Sequence, residues 1–291
     1  MHRSIPLLFL VAMVFAAFSA AHAGIKPEAG QHYAIYLLAG QSNMDGRGKA
    51  NDLTGDLAGY ADPHDQVLIR YSSGGHHRRL RESEGLIVLQ PGCNEQPGQF
   101  GPELGFGHTM AAARPDQRLI FIKVSEGGTN LREDWNPDHA NSLYQRLVGI
   151  VGETRDLLAE HDATFEIAGM IWHQGESDSA DPHVAQYADR LTGFVGRIRA
   201  DLELPDLPFV IGELCADNPR YETVIAAQKE VAASVPGVGF ASSAGLTTHD
   251  EDVHFDFGSL IELGRRFAHA MLALEGKPAA STPPTHPLHH R

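Results

Sequence analysis

A three-layer α/β domain, with a mostly parallel sheet between two layers of helices, is the fold class this sequence predicts. Two observations carry that reading. Apolar runs of strand length alternate with amphipathic stretches of helix length, and the strand runs are nearly continuously apolar, as strands covered on both faces must be. No internal repeat and no convincing linker interrupts the alternation, which predicts one domain spanning residues 24–276.

Taken in order, the first expected strand is Tyr33–Leu38, an apolar run rich in strand formers that stops at Gly40. Val67–Tyr71, Leu119–Val124, Phe165–Trp172, Phe209–Leu214 and Val238–Ala241 are further apolar runs of strand length. Helical spacing of apolar residues predicts helices over Glu103–Ala113, Ser142–His161, His183–Asp201, Glu222–Ser234 and Ser259–Glu275. The stretch from Gly46 to Phe100 has many glycines and prolines and little periodicity. Long irregular segments in compact domains are often functional. This one is expected either to wall a site or to be a surface excursion tied down by Cys93.

The two ends are set apart by composition. Met1-His2-Arg3 is a basic start, Ile5 to Phe18 is an apolar run too short for a good membrane span, and Ala21-His22-Ala23 offers a small-x-small cleavage pattern. Residues 1–23 are therefore expected to be a signal peptide, cut after Ala23, with export to the periplasm or the exterior. Residues 277–291 carry almost nothing to bury and are expected to be a disordered tail. The formal charge of −14, with no basic stripe, argues against nucleic acid or an anionic membrane surface as partner. Two cysteines, Cys93 and Cys215, are permitted to pair in an oxidising compartment, although sequence does not place them together.

Three strand ends are followed by residues suited to chemistry: Gly40-Gln41-Ser42, Ser125-Glu126-Gly127-Gly128-Thr129 and His173-Gln174-Gly175-Glu176. In a parallel sheet all three reach the same edge, where ligands bind. Ser42 could supply a nucleophilic hydroxyl. The amides of Ser42 and of Gly127-Gly128, with the side-chain amide of Gln174, could meet an oxyanion. The base is expected to be His254, set among the carboxylates of Asp250, Glu251 and Asp252, with His173 as its rival. Glu103 and Glu176 are expected to brace loops. Gln41, Asn130, Trp135 and His173 are candidate substrate contacts, whereas Trp172, closing a strand, is expected in the core.

The segments Gly40-Gln41-Ser42-Asn43-Met44, Gly127-Gly128-Thr129, Trp172 to Asp178 and Val253-His254-Phe255-Asp256 together resemble the motif set of the SGNH-hydrolase superfamily. The resemblance runs from about Tyr33 to Ala270 and is to the carbohydrate esterase branch that contains acetylxylan esterases and sialate O-acetylesterases. It implies a flavodoxin-like sheet, Ser42 as nucleophile, His254 as base, and deacetylation of sugar hydroxyls with no metal or organic cofactor. Acetylated oligo- or polysaccharide is the implied partner, with no obligate protein partner. The superfamily places its acid three residues before the histidine. Here that residue is Glu251, preferred over Asp252, with Asp250 also near. Acetylated xylan is the first-choice substrate. Acetylated sialic acid is the alternative, as is a lipase or thioesterase acting on longer chains. A metal-dependent hydrolase built on His249, Asp250, Asp252, His254 and Asp256 is disfavoured, because ligands crowded into so few residues rarely complete a site.

Overall fold

The computed structural model describes residues 24–250 and 253–276. The expected leader and tail lie outside these residues, as do Glu251 and Asp252. The sheet is built on six parallel strands: β1 (His32–Gly40), β2 (His64–Ser73), β3 (Arg118–Ser125), β4 (Thr164–His173), β5 (Phe209–Gly212) and β6 (Val238–Ala241). Their spatial order is β6-β5-β4-β1-β3-β2. Without β2 this is the flavodoxin order, and β2 adds one more parallel strand beyond β3. Two short strands, Arg81–Glu82 and Ile87–Leu89, pair antiparallel with β2.

Every residue of β1 after His32 is buried, which is why its sequence is apolar without alternation. Helices α1 (Glu103–Ala113) and α5 (Phe257–Glu275) cover one face of the sheet, where Phe106 meets Tyr36 and Phe267 meets His173. Helices α2 (Leu143–Glu160), α3 (Tyr187–Asp201) and α4 (Glu222–Ser234) cover the other. There Phe194 of α3 packs on Trp172 and on Tyr144 of α2. On α5 the buried residues Leu260, Ile261, Leu263, Gly264, Phe267, Ala268 and Met271 follow the helical repeat. Asp256 starts that helix by accepting the amide of Ser259 at 2.8 Å.

No disulfide joins Cys93 to Cys215. Cys93 is buried, its Sγ donates to the Gln90 carbonyl, and burial pushes its thiol up to about 12. Among the described residues no helix is long and apolar enough to cross a membrane.

Candidate active site

The carboxyl ends of β1, β3 and β4 finish side by side. Gly40 is in register with Ser125 on one side and with His173 on the other. Gly40 has φ +154°, and a Cβ there would sit 2.0 Å from the His173 carbonyl oxygen, so only glycine lets the strands close up before the chain turns. The Gln41 amide then donates to that same carbonyl at 2.9 Å, and a single helical turn, Ser42–Asp45, follows. Ser42 opens that turn, where a backbone N–H has no intrahelical acceptor.

His254 arrives on a small hairpin. Thr248–Asp250 pairs antiparallel with His254–Phe255, and Asp250 is the cross-strand partner of His254. Asp250 Oδ2 lies 2.6 Å from His254 Nδ1, and its Oδ1 accepts the His254 amide at 2.8 Å. Burial pushes the Asp250 carboxyl up, but the bonds and charge of His254 outweigh it and hold the group below its ordinary value. Among the described residues, the carboxylate on His254 is thus Asp250, four residues before it. Asp250 and His254 stand opposite one another in the ladder, whereas Glu251 and Asp252, the acids favoured from sequence, lie outside the described residues.

Asn43, next to Ser42, ties the two segments together. Its side chain donates to Glu176 Oε1 at 2.7 Å and to the Val253 carbonyl at 2.9 Å, and it accepts the Phe255 amide at 3.1 Å. Both chain neighbours of His254 are therefore anchored to the turn that carries Ser42. The only sequence signal for this role is a carboxamide beside the serine.

A cavity of about 520 Å³ opens at this edge, and Ser42, Gly128 and His254 line it together. The irregular segment supplies much of the wall, through Arg47, Arg78, Glu95, Gln96 and Gln99, so it does border the site. Arg220 and Tyr221 close another side. Beneath the floor, Asp45 accepts from Ser125 Oγ at 2.9 Å and bonds Ser73 and Arg47. Lys123 pairs with Glu103 at 2.8 Å with both side chains buried, and Glu103 accepts the Gly101 amide. Glu103 and Glu176 are thus bracing groups, and burial raises the Glu176 carboxyl.

Several expected contacts stand elsewhere. The Gly127 amide donates to Glu95 Oε1 at 2.7 Å and so is already engaged, whereas Gly128, at φ +83°, borders the cavity. The Gln174 side chain is buried, and its Nε2 donates to the Thr129 carbonyl at 3.0 Å, to Gln41 Oε1 and to Asp178. It fastens three strand-end loops to one another instead of pointing into the cavity. Gln41 does border the cavity, but its side-chain oxygen faces the amides of Gly175 and Ser177. Burial raises the Asp178 carboxyl to about 6.

Asn130 caps its own turn through Asp134. Trp135 is fully buried, edge-on to Trp172 at 4.9 Å with Nε1 donating to Thr129, so it belongs to the core. His173 is fully buried between Phe255 and Phe267, with Nε2 bonded to the Glu213 carbonyl, and burial lowers its pKa to about 4. These three are not in the cavity. An aromatic or histidine near a strand end can turn inward or outward, and local sequence does not distinguish the two.

Comparison with known proteins bears on what this edge does. A probable carbohydrate esterase of Arabidopsis thaliana is 27% identical over 250 residues, covering 82% of this chain and 90% of its own. The solved structure of that plant protein superposes with a TM-score of 0.64 at 24% identity, over 82% of this chain and 98% of its own. NanS superposes with a TM-score of 0.62 at 19% identity, over 86% and 98%. The profile of the family described as carbohydrate esterase, sialic acid-specific acetylesterase matches residues 32–273, most of the chain. The protein therefore belongs to that family, and is a carboxylic ester hydrolase.

Proposed function

We propose that this esterase removes O-acetyl groups from sugar hydroxyls through Ser42, His254 and Asp250, by way of an acetyl-enzyme. One observation supports this above the others: Ser42 and His254 border a single cavity while Asp250 holds His254 from behind. In this scheme Ser42 Oγ attacks the acetyl carbonyl as His254 Nε2 takes its proton. Asp250 keeps the required tautomer and supports the imidazolium. The backbone amides of Ser42 and Gly128 receive the oxyanion. Collapse expels the sugar alkoxide, which takes its proton from His254. A water activated by the same ring then releases acetate. Gln174 acts from one step back, holding the Thr129 carbonyl beside Gly128.

The acyl group is short. Glutamines, arginines and carboxylates dominate the lining, and Tyr221 and Val253 are its largest apolar contributions, so an extended acyl chain finds no apolar groove. On the sugar side, Arg78 and Arg220 border the cavity, and Arg220 forms no ion pair among the described residues. Arginine offers a planar fork suited to carboxylate. That favours an acidic sugar such as an acetylated sialic acid over neutral acetylated xylan, the first choice from sequence. Export through the 1–23 leader belongs to the same proposal. N-terminal sequencing of the secreted protein should begin at Gly24.

Acetate release from O-acetylated sialic acid and from acetylated xylo-oligosaccharides, measured side by side, tests the substrate. The acidic sugar should give the higher kcat/KM. Undiminished hydrolysis by Ser42→Ala would overturn the mechanism, and preference for long-chain nitrophenyl esters over acetate would overturn the acyl assignment.

A further inference from the structure

We propose that His76, His77 and Asp134 form a binding site for a divalent transition metal of the zinc class, separate from the Ser42–His254 pair. His76 Nε2 lies 2.9 Å from Asp134 Oδ1, and His77 Nε2 lies 3.0 Å from the same oxygen. The three ligand atoms all fall within 4.8 Å of one another. Ligands about 2.0–2.1 Å from a tetrahedral zinc stand roughly 3.3 Å apart. Opening each of the two His–Asp separations by a few tenths of an ångström would give them the spacing of ligands on such an ion.

The surroundings hold these groups in place. The Asp134 side chain is only 4% exposed, and its other oxygen accepts from the Asn130 amide at 2.8 Å and from Asn130 Nδ2 at 3.0 Å. That leaves Oδ1 directed at the two rings, as the supporting bonds of a metal carboxylate do. The backbone under the histidines is clamped by the buried Glu126 carboxylate, which accepts the amides of His76, His77 and Arg78. The imidazole rings sit 4.5 Å apart, and their side chains are 34% and 52% exposed. Solvent can therefore reach the metal position and complete its coordination. Two imidazoles and a carboxylate suit zinc, and also nickel or copper, better than calcium or magnesium.

A bound ion would join the 74–78 loop to the 126–134 segment. The first carries Arg78 and the second Gly128, and both border the catalytic cavity. Its role is to order that wall, not to touch substrate.

Chelator-stripped full-length protein should be titrated with cobalt(II), reading visible absorption, and with zinc(II) by calorimetry. His249, Asp250 and His254 also lie within ligand reach of one another, and the tail carries His286, His289 and His290. His249→Gln and a tail variant with those three histidines changed to alanine are therefore measured in parallel. The expected result is one equivalent of binding that falls at least tenfold in affinity in His77→Gln and in Asp134→Asn, and persists in both controls. Zinc should raise the Tm of the wild type and of the controls, but not of His77→Gln. Binding and Tm response unchanged in His77→Gln and Asp134→Asn, or lost only in the His249 or tail variants, would overturn the proposal.

Discussion

Asn43 accepts the backbone amide of Phe255 at 3.1 Å, and that bond fixes where His254 stands relative to Ser42. Together with the bond from Asn43 Nδ2 to the Val253 carbonyl, it pins the hairpin at the residues on both sides of the base. Catalysis depends on such placement, since small misalignment of reacting groups costs orders of magnitude. Asn43→Ala should lower kcat by about 10–100-fold with a much smaller change in KM. It should also destabilise the fold by about 1–3 kcal/mol, because it orphans a buried amide and a carbonyl. Steady-state kinetics on acetyl esters and denaturant unfolding measure the two effects. An unaltered kcat would mean that the hairpin is held by other contacts.

The acid partner can be assigned by substitution. Asp250→Asn removes the charge beside His254 Nδ1 but keeps a side chain of the same size. Loss of the orienting carboxylate in such a triad costs less than loss of the nucleophile or base, about 10²–10⁴-fold in kcat. Glu251→Gln and Asp252→Asn are each expected to stay within about threefold of wild type, a factor worth well under 1.4 kcal/mol. If Glu251→Gln is the damaging change instead, the superfamily spacing holds and the Asp250 pairing is incidental.

Much of this fold is legible in the sequence because buried parallel strands leave unbroken apolar runs and amphipathic helices leave a 3.6-residue repeat. Helices α1 and α4 occupy their expected residues, and β1 to β4 extend one to three residues beyond theirs at each end. Parallel strands put the residues after their ends on one edge, which is why Ser42 and Gly128 border one cavity, whereas His254 reaches it from a separate antiparallel hairpin. What local sequence does not encode is which groups already have partners. Gly127 looks like an oxyanion donor until Glu95, from the irregular segment, takes its amide. Gln174 looks like another until the loops close around it. The Asp250–His254 pairing follows from a hairpin register that motif spacing alone does not specify.

Trp135 separates a core role from a sugar-binding one. It is fully buried against Trp172 and Phe194, and removing a ring of this size from a core costs about 3–5 kcal/mol. Trp135→Ala should therefore lower the unfolding midpoint steeply, and the milder Trp135→Phe should lower it less while leaving KM for acetylated sugars within about twofold, under 1 kcal/mol of binding. A large rise in KM in a stable Trp135→Phe enzyme would restore the sugar-stacking role expected from sequence.

The buried imidazole of His173 should make the fold's stability depend on pH. Burial holds His173 at about 4, below its ordinary 6.5, so between those values the unfolded chain carries more protons on this ring than the native one. Stability rises with pH wherever the unfolded state binds more protons, so His173 withdraws stability as pH falls through that window. A shift of that size is worth on the order of 3 kcal/mol. His108, lowered to about 4 chiefly by burial and secondarily by His64, acts in the same direction. Asp178 opposes them: burial raises it to about 6, so its native form keeps a proton that the unfolded chain has already released, and its contribution improves as pH falls. The raised carboxyl of Glu176 acts in the same direction as Asp178, so the contribution of His173 is isolated by substitution. Tm measured from pH 7 to pH 4.5 should fall more steeply for the wild type than for His173→Gln, whose amide can still donate to the Glu213 carbonyl. Equal slopes would show that the buried ring is not what makes the fold acid-sensitive.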